Sequence, residues 1–272
     1  MNPSAHTQKG VEKGTLYLVP TPLDFGCTDQ PLAAIDQLLP GATLAVASQL
    51  SHWITENAKS TRAFLKRVQA SHGLAASLQA QHISELPRAA HKKGDHAPDA
   101  ALDAAARSLL APALAGHNIG LVSEAGMPAI ADPGSSIVRA AHALGLPVAP
   151  LSGPVSLMMA LAASGLNGQS FAFVGYTPQE ATERARRLRE LEALALAHGQ
   201  TQILIETPYR NAALLQALAQ TLQPNTRLAT CFGLGLPEQQ RCVSQTAREW
   251  KRSLTSPNSL PLSLPCVFLI GR

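Results

Sequence analysis

Aromatic residues are scarce in this 272-residue chain, at 4% of the composition, although hydrophobic residues reach 46%. A core must therefore be assembled from Ala, Leu, Val and Ile, which suits helices packed on a sheet. Cysteine is equally sparse. Cys27, Cys231, Cys242 and Cys266 form no CxxC pair, and no histidines stand at zinc-finger spacing, so no metal is expected. No apolar run reaches the roughly 20 residues that a membrane span needs, and the first ten residues lack the apolar centre of a signal peptide. The expectation is a soluble, cytoplasmic protein without membrane contact. Three motifs of common enzymes are also missing: GxxxxGK[ST], a GxGxxG that opens a helix after a strand, and GxSxG. Their absence disfavours nucleoside triphosphate sites, ordinary dinucleotide sites and a local nucleophile elbow. The net charge of +4 permits an anionic partner such as nucleic acid without selecting one.

What the chain does contain is a set of short apolar runs that end in proline and glycine turns. The densest is Asn118 to Gly134, NIGLVSEAGMPAIADPG, in which Ile119, Leu121 and Val122 read as a buried strand delivering Ser123, Glu124, Ala125 and Gly126 to a sheet edge. In open α/β sheets ligands bind just beyond the carboxyl ends of strands. Two similar junctions occur at Val19 to Pro22 (VPTP) and Leu151 to Ser156 (LSGPVS). If the strands are parallel, the first junction lies beside the glycine turn.

Taken in order, residues 1–13 read as a frayed, disordered terminus, and TLYLV (15–19) as the first strand. The spacing of Leu32, Ile35 and Leu39 predicts a helix from Pro31 to Leu39, and Thr43 to Ala47 reads as a second buried strand. Ser48, Gln49, Ser51 and His52 would then follow at the ligand edge. Helices are predicted at about 57–70 and 99–115. Between them Arg88, His91, Lys92, Lys93 and His96 form a basic loop, which could meet phosphates but is more simply a solvated surface. Further on, 135–143 reads as a helix, 147–151 as extended, and VSLMMALAASG (155–165) as a small-residue helix whose free first-turn amides suit a polar ligand group. Strands at FAFVGYTP (171–178), 201–205, 227–232 and 266–270 alternate with helices at 181–198, 212–222 and 246–252, and the last strand is expected to be antiparallel. The chain is thus α/β with two α/β domains, the first built on a largely parallel sheet and the second on a mixed one. The expected bounds are 14–153 and 154–272.

The segments TLYLVPTPL, LVSEAGMPAIADPG, PLSGPVSLMMALAASGL, FAFVGYTP and ILIETPYR, in this order, resemble the tetrapyrrole methylase superfamily, the class III methyltransferases. Within it the resemblance is to the bacterial enzymes that methylate a ribose 2′-oxygen of a cytidine in 16S ribosomal RNA, with this chain as a divergent paralogue. The resemblance spans residues 14 to 270 and implies S-adenosylmethionine as cofactor in an interdomain cleft, an RNA substrate and a homodimer. It also implies a cofactor shell of Pro22, Glu124, Ala125, Gly126, Met127, Ile130, Val155 and Ser156, joined by Glu206 and Phe232, and it assigns no general base. Two further readings stand beside it: a catalytically weak paralogue that binds cofactor or RNA, and a methylase of a tetrapyrrole or other small molecule. This sequence also departs from the superfamily's pattern. Asp24-Phe25 stands where Gly-Asn is usual, Ala47-Ser48-Gln49-Leu50 is aligned with Glu-Asp-Thr-Arg at the end of the second strand, and Glu124 and Met127 replace Asp and Thr. Cys231-Phe232-Gly233-Leu234 is matched to Ala-Arg-Glu-Leu. On this alignment an acid and an arginine are lost from the substrate side.

Overall fold

The computed structural model describes residues 12–24, 32–87, 89–90, 94–254 and 260–272. The expectations for residues 1–11, Pro31, Arg88 and His91 to Lys93 lie outside the described residues. The chain divides into two compact units, Met1–Pro154 and Val155–Arg272.

In the first unit, β1 (Leu16–Leu18), β2 (His52–Thr55), β3 (His82–Glu85), β4 (Ile119–Val122) and β5 (Val148–Pro150) form one sheet in the order β3-β2-β4-β1-β5. Every pairing in it is parallel. β4 is buried at all four residues, as a central strand covered on both faces must be. One face is packed by α1 (Gly41–Gln49) and α2 (Ala58–His72), through Leu44, Ala47, Phe64, Leu65 and Val68 on Trp53 and Val122. The other is packed by α3 (Ala100–Leu109), α4 (Ala111–Leu114) and α5 (Ser135–Ala143), through Ala106, Leu110, Ile137 and Ala141 on Leu16, Ile54 and Leu121. Trp53 is the largest side chain of the sheet, and Gly120 on the neighbouring strand makes room for it. A Cβ at Gly120 would stand 2.5 Å from the indole ring.

Two expectations in this unit are corrected. Thr43 to Ala47 is part of helix α1, and the second strand is His52–Thr55. The buried residues of α1 are Thr43, Leu44, Ala47 and Ser48, the one-turn spacing of a helix face. A short apolar run does not distinguish this from a buried strand. As a result Ser51 and His52 lie at the amino end of the parallel sheet, opposite the ligand edge, and Ser48 and Gln49 close α1. Of the predicted helix 31–39, the structure forms only a 3-10 turn at Ile35–Gln37, with Ile35 and Leu39 buried in the core. β3, whose side chains are largely exposed, carried no periodic signal.

The second unit holds α6 (Ser156–Ser164), β6 (Phe171–Gly175), α7 (Ala181–His198), β7 (Thr201–Glu206), α8 (Asn211–Thr221), β8 (Arg227–Phe232), β9 (Arg241–Thr246), α9 (Ala247–Ser253) and β10 (Cys266–Gly271). The sheet order is β6-β7-β10-β8-β9, parallel at β6-β7 and antiparallel elsewhere, so the sheet is mixed and its last strand in sequence is antiparallel. Leu188 and Leu191 of α7, Leu214, Leu215 and Leu218 of α8 and Trp250 of α9 pack on Leu204, Leu228, Phe232 and Phe268. α6 lies against β8, β9 and β10. β9 went unread in RCVSQT because an edge strand with exposed alternate residues has little apolar pattern.

Candidate functional site

Because the strands of the first unit run parallel, the loops after β1, β2, β4 and β5 emerge along one edge. Pro20 and Pro22 stop the β1 ladder, and the freed residue between them pairs elsewhere. Thr21 N–H donates to Gly126 O at 2.9 Å, and Gly126 N–H returns the bond to Thr21 O at 3.0 Å. The Thr21 hydroxyl adds a bond to Ser123 O at 3.2 Å. The VPTP turn and the glycine turn are therefore one structure, as parallel strands predict.

The β4 loop is held in costly backbone. Gly126 has φ +78°, and Ala129 and Ala131, which have side chains, sit at φ +64° and +63°. Left-handed backbone costs an alanine about 1–2 kcal/mol, and such strain persists where surrounding contacts impose it, often at functional sites. The far end of this loop is anchored by Asp95. Its carboxylate accepts from the N–H of Gly134 and of Ser136, both at 2.9 Å, and from the Ser136 hydroxyl at 2.7 Å. Burial alone would raise the Asp95 pKa, but these bonds outweigh it and hold the carboxyl below its usual range. Arg139 fixes the Asp95 segment in turn, donating to Asp95 O at 2.8 Å.

Four carboxylates gather here. Asn57, which follows β2 and caps α2, donates to Glu124 Oε1 at 3.0 Å. Glu56 beside it is pushed up to about 8, chiefly by burial and then by the Asp132 charge. Asp132 is pushed up to about 7 by burial and by Glu124. Asp95 completes the group and adds to the repulsion at Glu56. Glu56 Oε1 and the Ser123 hydroxyl are buried without a hydrogen-bond partner. Glu56 was missed in the sequence because the second strand had been placed nine residues early. With β2 ending at Thr55, the residues that follow the second strand are Glu56-Asn57-Ala58-Lys59. Glu56 stands among the four carboxylates, and Lys59 is an exposed residue of the first turn of α2.

A cavity of about 210 Å³ opens beside these loops, lined by Thr21, Pro22, Asp24, Phe64, Ser123 and Glu124 among others. Arg67 of α2 crosses its wall, paired with Asp24 at 2.5 Å and donating to Ala33 O at 3.0 Å.

The sequence-predicted residues of the first unit are thus brought together. Pro22, Ala125 and Gly126 are buried in the joined turns, Met127 is half-buried, and Glu124 and Ile130 are exposed. In the second unit Val155 is the N-cap residue of α6 and Ser156 its first residue. Glu206 ends β7 with Oε1 already engaged by Thr207 N–H at 2.8 Å and by Arg210 at 2.6 Å. The Phe232 ring is fully buried in that unit's core, edge-on to Phe268. Only its backbone can face a ligand. Among the described residues no group of His, Cys, Asp and Glu could hold a metal ion, and no helix is long and apolar enough to cross a membrane.

The family described as Tetrapyrrole (Corrin/Porphyrin) Methylases matches residues 53–250. A protein of Halalkalibacterium halodurans named Ribosomal RNA small subunit methyltransferase I is 30% identical over 250 residues, which is 91% of this chain and 74% of that protein. A protein of the same name from Xylella fastidiosa is 39% identical over 132 residues, 48% of this chain and 43% of the relative. The match therefore spans less than half the length of the Xylella protein. Among solved structures, the methyltransferase CobJ is similar with a TM-score of 0.51 at 16% identity, covering 96% of this chain and 94% of its own. Uroporphyrin-III C-methyl transferase from Thermus thermophilus, solved as a complex with S-adenyl homocysteine, has a TM-score of 0.50 at 15% identity, covering 95% and 97%. These likenesses establish the shared fold.

Proposed function

Since this chain belongs to the tetrapyrrole methylase family, we propose that it is an S-adenosylmethionine-dependent methyltransferase acting on ribosomal RNA. The observation that carries the reading is the joined pair of loops, Thr21–Pro22 with Ser123–Gly126, at the carboxyl edge of a parallel sheet. Support for the RNA substrate comes from the ribosomal RNA methyltransferases it resembles at 30% identity over 91% of its length.

The residues present suit the cofactor. Small side chains and a positive-φ glycine allow backbone to approach a ligand closely, the Ser123 hydroxyl has no protein partner, and the exposed Glu124 carboxylate can accept from hydroxyl or ammonium groups. S-adenosylmethionine, when bound, supplies an electrophilic methyl group on a sulfonium. In this reading Pro22, Glu124, Ala125, Gly126, Met127 and Ile130 hold the cofactor, and Val155, Ser156, Glu206 and Phe232 are the second unit's contribution. The protein's part in methyl transfer is chiefly to align two reactants, which lowers the barrier by removing their relative freedom. A ribose hydroxyl must also give up its proton. Asp132, raised to about 7, can take one close to neutrality, whereas Glu56, raised to about 8, is largely protonated there. The cavity beside Arg67 and Asp24 is the place for the nucleoside. A homodimer working in the cytoplasm belongs to the same reading.

The test is incubation of the purified protein with labelled S-adenosylmethionine and either small ribosomal subunits or the small-molecule fraction of an extract. Label in 16S ribosomal RNA is expected. Label only among small molecules would move the assignment to a tetrapyrrole-type substrate, and cofactor binding without any transfer would mark a catalytically silent binding protein.

A further inference from the structure

Two thiols of the second unit stand directly opposite each other on paired strands. β8 and β9 are antiparallel, and their register places Cys231 against Cys242. Residues so paired project to the same face of the sheet, with Cα atoms about 4.5–5.5 Å apart. A disulfide accepts Cα separations of about 4.4–6.8 Å, so the backbone already has the span that the bond requires. Beyond burial, the Cys242 thiol helps to raise the Cys231 pKa, as a nearby group does. Cys231 also approaches Ala160 O of α6 at 3.8 Å, so the pair lies on the face that α6 covers. The exposures differ in a useful way: Cys242 is exposed and Cys231 is buried. Cys266 is near enough to interact with both thiols, but its side chain projects to the opposite face of the sheet from Cys231. It lies opposite Phe232, packs in the core cluster with Phe232 and Phe268, and gives its thiol to Val267 O at 3.5 Å.

We propose that Cys231 and Cys242 form a redox-modification site, a vicinal thiol pair that a hydroperoxide converts into a disulfide joining β8 to β9. The accessible Cys242 thiolate attacks one oxygen of the peroxide, forming a sulfenic acid and expelling hydroxide. The Cys231 sulfur then attacks the Cys242 sulfur, the S–O bond breaks, and water leaves with the Cys231 proton. In sum two thiols and one hydrogen peroxide give one disulfide and two waters. Burial pushes the Cys231 thiol up, so it remains protonated and inert toward oxidants on its own. Cys242 is the entry point and Cys231 the resolving group. The bond closes a ring around Gly233–Gln240, the segment between the two strands.

The full-length protein is treated with hydrogen peroxide, its remaining thiols are alkylated under denaturing conditions, and the chain is digested without reductant. The expected product is a peptide pair linking Cys231 to Cys242, released by dithiothreitol, with Cys266 alkylated. In Cys242→Ser, an exposed change that leaves the core intact, oxidation of Cys231 is expected to slow by about tenfold or more. In Cys231→Ser, Cys242 is expected to run on to sulfinic and sulfonic acid. Overoxidation of Cys242 in the wild type with Cys231 still alkylated, or a link from either residue to Cys27 or Cys266, overturns the proposal.

Discussion

Thr21 and Gly126 exchange two backbone hydrogen bonds, at 2.9 and 3.0 Å, and so fasten the turn after the first strand to the turn after the fourth. This pairing makes a single wall from segments that are distant in sequence. Its geometry depends on the absence of a side chain at Gly126, which is at φ +78° with Leu23 Cδ2 3.0 Å from where a Cβ would stand.

Gly126→Ala is accordingly expected to destabilise the protein by about 1–2 kcal/mol through left-handed strain. It should also weaken S-adenosylmethionine binding more than its stability loss alone would do. Thermal unfolding and calorimetric titration of the same sample separate the two effects. Wild-type affinity in the folded variant would remove this turn from the cofactor wall.

Glu124 and Met127 bracket the same turn. Glu124→Ala removes an exposed acceptor already bonded to Asn57, and is expected to lower cofactor affinity by a factor of about 10–150, the loss of one hydrogen bond to a charged group. Met127→Thr restores the family's usual residue and is expected to leave affinity within a few-fold. If neither substitution alters binding in an equilibrium titration, the site has been misplaced.

Stability should fall as pH rises through neutrality. Glu56 and Asp132 have ordinary values of 4.5 and 3.8 and are raised in the fold to about 8 and about 7. The folded state therefore holds protons that the unfolded chain releases. Their contribution is fully present below about pH 4 and is lost progressively up to pH 8. Allowing for solvent screening, the loss is on the order of 1–2 kcal/mol for each acid. Denaturant unfolding between pH 5 and 8 should show the decline in wild type and a shallower one in Glu56→Gln. Parallel slopes would mean that Glu56 is ionised in the folded protein.

Arg67→Ala strands the Asp24 carboxylate, which is 14% exposed in the pair. Removing one partner of a largely buried ion pair costs about 1–3 kcal/mol here, less than a fully buried pair would. If the adjoining cavity receives the nucleoside, the Michaelis constant for RNA should rise while cofactor affinity is unchanged. Equal loss of both would place the cofactor itself in that cavity.

The strongest local signals in the sequence came from its prolines and glycines. Pro20 and Pro22 forced the chain out of the first strand, and Gly126 and Pro128 marked the turn after the fourth. Helices α2, α5, α6 and α7 are legible in the sequence to within a few residues, and in the structure Asn57 caps α2 and the left-handed Gly165 ends α6. The sequence likewise determined the α/β class and the membership that its motifs announce. It did not determine whether Thr43 to Ala47 would be strand or helix, since a short run of small apolar residues satisfies both periods and only burial against Trp53 and Phe64 selects the helix. With the second strand at His52–Thr55, Glu56 falls at the carboxyl edge of the sheet. Proton affinities belong to the tertiary structure alone: Glu56 and Asp132 are ordinary acids along the chain. The loops of the parallel sheet bring them beside each other and beside Glu124, and burial and charge repulsion then raise both.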